Sequence, residues 1–319
     1  MPKSSVSTPT PPAPLYQGSV NTWECDDGGH LNVRFQMERA MVGLAHMARA
    51  LEMPRAFTPA AGSTLTLLEA HVRFLREARP GAPLIMHGGV LAIGESDATF
   101  LFDMRHADGA PASAFTLRVA HTDTRGFRPC AWSSRSRDAA KGLKCALPAH
   151  AKPRSIDMTR TPGDARLARA HALGAHRIGA AVVAPDQCDA FGRLRGEHMI
   201  GRVSDSVPNL LLSWRQALAE AAAADGVETN PAGAVVEARM LFRAWPRAGD
   251  LIEVYSGAVE LGDKTMRLAH WLCDPERGGA WASFEVMALT FDTLTRKTMT
   301  SGQAARARAE ALLVKDWGI

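Results

Sequence analysis

Several common sources of function are missing from this chain of 319 residues. No apolar run approaches the roughly 18 residues that a membrane-spanning helix needs, so no membrane insertion is expected. Five cysteines (Cys25, Cys130, Cys145, Cys188 and Cys273) form no CxxC pair and no zinc-type spacing. An odd, sparse set of this kind suggests reduced thiols in a cytoplasm. The histidines do not cluster at metal-ligand spacing, so no metal site is expected. There is no GxSxG elbow, no P-loop, no GxGxxG and no HExxH, which removes the usual serine-hydrolase, nucleotide and metalloprotease readings. Net charge is +4, with arginines spread along the chain and few aromatics between them. That argues against nucleic acid as a partner and is compatible with an anionic small ligand. Residues 1–17 are rich in Pro, Ser and Thr and lack an apolar h-region, so they read as a disordered tail and not as a secretory signal.

What is present is a globular composition, 46% hydrophobic and 22% charged, at a length that suits about two domains. From Leu31 to Met53 apolar residues recur almost all round (Phe35, Met37, Met41, Val42, Leu44, Met47, Leu51), the mark of a buried helix, and Pro54 and Pro59 end it. Four strand-like segments follow: Thr64–Arg79, Pro83–Ile93, Ala98–His106 and Ala112–Thr124. The short turns between them, such as Arg79-Pro80-Gly81 and Ala107-Asp108-Gly109, fit antiparallel hairpins and not βαβ crossovers. Residues 128–165 form a basic connector, read as a solvated linker; a strip attracting phosphates is the rival reading.

The second half repeats the first. A strand at Ala180–Val183 precedes a helical stretch, Glu197–Ala224, that contains Pro208. Either Ser206 caps a fresh helix start there or the helix is kinked. Strands are then expected at Ala234–Trp245, Leu251–Leu261, Thr265–Cys273 and Ala280–Thr293, and a closing helix at Arg306–Leu313. Phe74 and Phe242, Gly81 and Gly249, and Gly94 and Gly262 are separated by one common spacing. Phe115 and Phe284, and Asp123 and Asp292, are separated by one residue more. A spacing held over four segments indicates duplicated domains.

Each repeat opens on a polar loop. The first is Cys25-Asp26-Asp27-Gly28-Gly29-His30-Leu31-Asn32, the second Cys188-Asp189-Ala190-Phe191-Gly192-Arg193-Leu194-Arg195. Read alone, the first is a glycine turn with a helix-capping carboxylate. Together with the helix and four strands that follow, it resembles the hotdog-fold acyl-CoA thioesterases of the 4-hydroxybenzoyl-CoA thioesterase type, which carry Asp-x-x-Gly-His-x-Asn before their central helix. The resemblance covers residues 18–125 well and 175–295 by repetition.

The resemblance implies an α+β chain of two tandem hotdog units, each a long central helix wrapped by a curved antiparallel sheet, pairing as a pseudo-dimer. The units would span 18–127 and 166–296, with a helical extension at 297–319. It also implies hydrolysis of an acyl-CoA or acyl-ACP thioester at the seam between units, without a cofactor. Asp26 would act as general base or as nucleophile. Backbone N–H groups from Gly29 to Val33 would hold the oxyanion, and His30 and Asn32 would orient the loop or contact substrate. In the second loop Asp189 and Gly192 persist, whereas Arg193 and Arg195 replace His and Asn. Four readings stay open there: a dead site, a ligand-binding fork for an anion, a second altered catalytic centre, or two solvent-facing arginines. Glu197 and His198 read as first-turn helix residues.

Two other functions stand beside hydrolysis. A hotdog hydratase or dehydratase would carry Asp-x-Asn-Pro-x-His, which is absent. A non-catalytic acyl-thioester-binding protein would account for the degraded second loop. A homo-oligomer of double units is left open.

Overall fold

A computed structural model describes residues 13–300 and 302–317. Its first half runs β1 (Tyr16–Ser19), α1 (Val33–Ala50), β2 (Ser63–Phe74), β3 (Pro83–Ile93), β4 (Asp97–His106) and β5 (Pro111–Asp123). A connecting stretch holds α2 (Ser134–Gly142) and α3 (Leu167–Ala172). The second half runs β6 (His176–Val182), α4 (Gly196–Ala224), β7 (Pro231–Phe242), β8 (Leu251–Leu261), β9 (Thr265–Cys273) and β10 (Ala280–Asp292), and α5 (Gln303–Glu310) closes the chain. Most of the expected tail, residues 1–12, lies outside the described residues. Its last part does not behave as a tail, because Leu15 is buried and Tyr16 begins β1 against β3.

All ten strands join one antiparallel sheet in the order β1-β3-β4-β5-β2-β7-β10-β9-β8-β6. The two five-strand halves have the same internal order, and they meet where β2 pairs with β7 from Glu69 opposite Leu241 to Arg73 opposite Glu237. Strand propensity and period-two burial explain why these segments pair. Only the fold decides that β2 meets β7. At that junction Arg239 Nε donates to Glu69 Oε1 at 2.7 Å, and His71 Nε2 lies 2.9 Å from Glu237 Oε1. Burial pushes the Glu237 carboxyl up. The hydrogen bonds from His71 and from the Arg154 and Ser155 N–H groups outweigh it and hold the carboxyl below its usual range.

The helices lie under the sheet. α1 buries Met37, Ala40, Leu44, Met47 and Ala48 on one side, and Val42 is exposed, so the helix is not buried all round in the way its apolar pattern suggests. It stops at Leu51, after which Glu52 takes a left-handed φ of 61° and Pro54 follows. α4 is one continuous helix through Pro208, so no new helix begins at Ser206. Leu44 and Met47 of α1 share one continuous core with Leu211 and Trp214 of α4.

The connector departs from the solvated linker read from its charge. Arg135, Lys141, Lys144, Lys152 and Arg154 do project into solvent, but Trp132, Ala140, Ala151 and Ile156 are buried. Arg239 Nη1 donates to the carbonyls of Asp157 and Arg160, which ties this stretch to β7 beside the β2/β7 junction. Side-chain charge was readable from sequence; the anchoring of the backbone was not.

Candidate active site

Cys25 to Asn32 fold as a closed loop. Cys25 and Leu31 form an isolated antiparallel bridge, Asp26 N–H donates to the His30 carbonyl at 3.1 Å, and Gly29 N–H donates to the Asp26 carbonyl at 3.0 Å. The turn needs φ of 72° at Gly29, where a side chain would be strained. Gly28 is required for a different reason: a Cβ there would stand 2.8 Å from the His30 ring. Arg296, from the loop after β10, donates through Nη2 to the Gly28 carbonyl at 2.7 Å.

This closure aims Asp26 at a fixed point. Its Oδ1 accepts the Gly28 N–H at 3.0 Å, and its Oδ2 lies 3.3 Å from His30 Nε2. Burial pushes the Asp26 carboxyl above its usual range. The adjacent His30 opposes that shift, as do the backbone bonds, and the neighbouring Asp27 adds to it. A raised carboxyl in a cleft, with one defined charge partner, marks Asp26 as a candidate functional group. His30 Nδ1 is buried without a partner among the described residues.

Asn32 caps α1: its Oδ1 accepts the Arg34 N–H at 2.8 Å, and its Nδ2 donates to Ser204 Oγ of α4 at 2.9 Å. Asn32→Ala should therefore cost about 1 kcal/mol in urea unfolding, the usual worth of a cap. Asn32→Asp, which still caps, should recover most of that loss. Of the N–H groups between Gly29 and Val33, those of Gly29, Leu31 and Asn32 donate to the Asp26, Ala78 and Glu24 carbonyls. The His30 N–H is turned to the Asp26 carboxylate, whereas the Val33 N–H has no backbone partner among the described residues; both residues line the cavity.

That cavity holds about 380 Å³. Asp26, His30, Asn32 and Gln36 line it from the first half of the chain, and Ile200, Val203, Val207 and Leu211 of α4 from the second. The repeat explains why it is there. Beneath α1, Phe100 and Phe102 stack at 6.3 Å and fill the space between helix and sheet. At the corresponding positions of β9 stand Leu268 and His270, both on the cavity wall. Two smaller side chains leave the space that two phenylalanines occupy in the other half.

The second loop keeps the backbone and loses the opening. Cys188 bridges Leu194 and Gly192 repeats the left-handed turn at 75°. Asp189 is fully engaged. Its Oδ1 accepts from the Phe191 and Arg193 N–H groups, and its Oδ2 accepts Arg193 Nε and Nη2 at 3.0 and 2.9 Å. Arg193 is neither solvent-facing nor free for an anion. It is 5% exposed, donates to Thr66 Oγ1, and lies 4.0 Å from the Phe127 ring and 5.3 Å from that of Trp245. Arg195 is half-buried, with Nη2 2.8 Å from His198 Nε2 and Nε 3.2 Å from Glu197 Oε1. Burial pushes the Glu197 carboxyl up; burial, then the nearby Arg34, pushes His198 down to about 4.

Sequence reasoning singled out Asp26, Gly29, His30 and Asn32; the fold brings Asp26, His30 and Asn32 to one cavity, while Gly29 makes the turn of the loop without lining it. It missed Ser204, Arg296 and His270. The sole available signal was their comparison with Met41, Phe127 and Phe102 in the other repeat. Among the described residues no group of three or more His, Cys, Asp or Glu side chains is placed to hold a metal, and no helix is long and apolar enough to cross a membrane.

A family model of the thioesterase-like superfamily matches residues 20–150. The thioesterase-like region contains Asp26, His30 and Asn32, together with α1 and β2 to β5. The fold extends the likeness into the second half. A 12:0-ACP thioesterase from Umbellularia californica superposes with a TM-score of 0.65 at 12% identity, covering 86% of this chain and 93% of that one. An acyl-ACP thioesterase from Bacteroides thetaiotaomicron gives 0.60 at 12% identity, covering 86% and 96%. No curated protein matches the chain.

Proposed function

We propose that this chain is an acyl-thioester hydrolase with one working site, at the Asp26 cavity. The observation that carries the reading is the pairing of a burial-raised carboxylate with the start of α1, where the Val33 N–H has no backbone partner among the described residues and Val33 lines the same cavity as Asp26. Asp26 is the general base that takes a proton from water, since a raised pKa makes its carboxylate more basic. His30 holds the carboxylate in position through the 3.3 Å contact at Oδ2. The N–H group of Val33, at the positive end of α1, receives the developing oxyanion. Asn32 ties this end of α1 to α4.

The repeated strand order, with one helix beneath each half-sheet, supports two hotdog units, 18–127 and 166–296, paired as a pseudo-dimer. Residues 128–165 connect them and 297–319 form the extension. The Asp189 loop is the pseudo-symmetric site converted to structure, because its carboxylate is consumed by Arg193. The likeness to acyl-ACP thioesterases brings acyl-ACP, beside acyl-CoA, to the substrates worth testing.

A panel of saturated and aromatic acyl-CoA and acyl-ACP thioesters, followed by free-thiol release, tests the reading. Thiol release from at least one is expected. The acid limb of kcat/KM should fall above the ordinary aspartate value of 3.8, because the site needs the ionised carboxylate and burial delays its ionisation to higher pH. Binding without release across the panel would support an acyl-thioester-binding protein instead, and hydration of an enoyl-CoA would support a hydratase.

A further inference from the structure

The inner face of the second half-sheet is apolar except at one place. On β9, Met266, Leu268 and Leu272 point inward with His270, and on β8, Ile252, Val254 and Ala258 point inward with Ser256. His270 and Ser256 are direct cross-strand partners, with His270 Nδ1 2.6 Å from Ser256 Oγ. Both are buried, Ser256 at 0% and His270 at 1% exposure. The repeat supplies the comparison: the same paired positions on β4 and β3 carry Phe102 and Gly88. There the glycine is needed, since a Cβ would clash with the Leu101 carbonyl and stand 2.7 Å from the Leu15 side chain and 2.8 Å from the Phe102 ring. The chain therefore builds this place apolar in one half and polar in the other.

A buried imidazole with one hydrogen bond is costly unless its other nitrogen is also satisfied. Burial holds His270 neutral, at about 3. A neutral ring bonded at Nδ1 keeps Nε2 as a single donor or acceptor, according to which way the Ser256 hydroxyl points. Among the described residues Nε2 has no protein partner, and the ring forms part of the cavity wall. His270 lies two strands beyond β7, so it sits roughly 10 Å laterally from β7, whose residues Gly233, Ala234, Val235 and Val236 line the same cavity as Asp26. The wall between is aliphatic, formed by Val203, Val207, Leu268 and Val286.

We propose that the cavity selects an aliphatic acyl chain bearing a hydroxyl or keto oxygen towards its far end, with His270 Nε2, set by Ser256, as the group that recognises that oxygen. This rests on the hydrolase reading and adds its substrate class. A plain alkyl chain filling the cavity would exclude water from Nε2 and leave it unpaired. Sites built to hydrogen-bond a substrate group reject the analogue lacking it more strongly than apolar pockets reject an extra methylene.

The test compares kcat/KM for the ω-hydroxyacyl-CoA series from hexanoyl to dodecanoyl with the unsubstituted series. At one chain length or more, the hydroxylated substrate should be favoured by about tenfold or greater. His270→Leu should bring that ratio down by about tenfold, and His270→Gln, which keeps a hydrogen-bonding group, should retain part of it. Unsubstituted chains preferred throughout, or a ratio unchanged in His270→Leu, would overturn the proposal and leave the hydrolase reading standing. Thermal-shift titration of the unmodified protein with the corresponding free acids gives a readout without catalysis. Tighter binding of the ω-hydroxy acids supports the pocket chemistry even if no thioester is cleaved, an outcome that would overturn the hydrolase reading alone. Equal binding of both acids counts against the pocket. It also decides the matter should His270→Leu fail to fold.

Discussion

Asp26→Asn is expected to lower kcat/KM by about 10²–10⁴-fold, the range typical of losing a positioned general base. The substitution is nearly isosteric. The introduced amide oxygen would still accept the Gly28 N–H that Asp26 Oδ1 accepts at 3.0 Å, so the loop should keep its shape. What disappears is basicity at the atom that faces the cavity. Stability gives a second readout with a sign of its own. The folded state raises the Asp26 pKa, so it binds the proton more tightly than the unfolded chain does. The stabilisation that the carboxyl contributes is present at low pH and is lost as pH rises through the folded pKa. Asp26→Asn carries no such loss, so relative to the parent it should gain stability as pH increases, measured as a rising difference in Tm. Asp189→Asn is the control: turnover should stay within about threefold of the parent, because Asp189 faces Arg193 and not the cavity. Loss of turnover in Asp189→Asn with retained turnover in Asp26→Asn would reverse the assignment of the two loops.

The second large effect concerns folding. Arg193→Met should destabilise the protein by about 3–5 kcal/mol, the usual result of removing one partner from a buried ion pair. Two contributions add. Asp189 Oδ2 loses both of its guanidinium donors, and the aromatic box of Phe127, Phe191 and Trp245 loses the cation it encloses. At roughly 2–4 °C per kcal/mol for a chain of this size, Tm should drop by about 10 °C. Asp189→Asn combined with Arg193→Met removes the uncompensated charge and should recover a large part of the loss. The cavity lies outside this cluster, so kcat per folded molecule should hold in both variants. A drop of under 1 kcal/mol for Arg193→Met would mean that the second loop is not held by this pair.

The two loops show how far residue identity reaches. Asp26, Gly29, His30 and Asn32 stood out through the resemblance to the Asp-x-x-Gly-His-x-Asn loop, whereas their spacing alone reads as a glycine turn and a helix cap. Arg193 and Arg195 could be seen to differ, but not what they do. An arginine in a sequence is equally a solvated charge, an anion fork or a buried counter-ion, and Phe127 and Trp245 lie far away in the chain from the Arg193 they enclose. The same holds for Ser204 and Arg296, which reach the first loop across the two halves of the chain.

Local pattern determined much on its own: the helix at α1, the strand segments, the duplication, the loop that opens each repeat and the carboxylate at its start. These follow from periodicity, turn residues and capping, which act over a few neighbours. Tertiary structure decided the rest. It joined β2 to β7, anchored the connector beside that junction, opened a cavity under α4 where Leu268 and His270 replace two phenylalanines, and closed the matching space under α1. Long-range pairing and packing volume are properties of surfaces that meet only on folding, and no local pattern records which surfaces those will be.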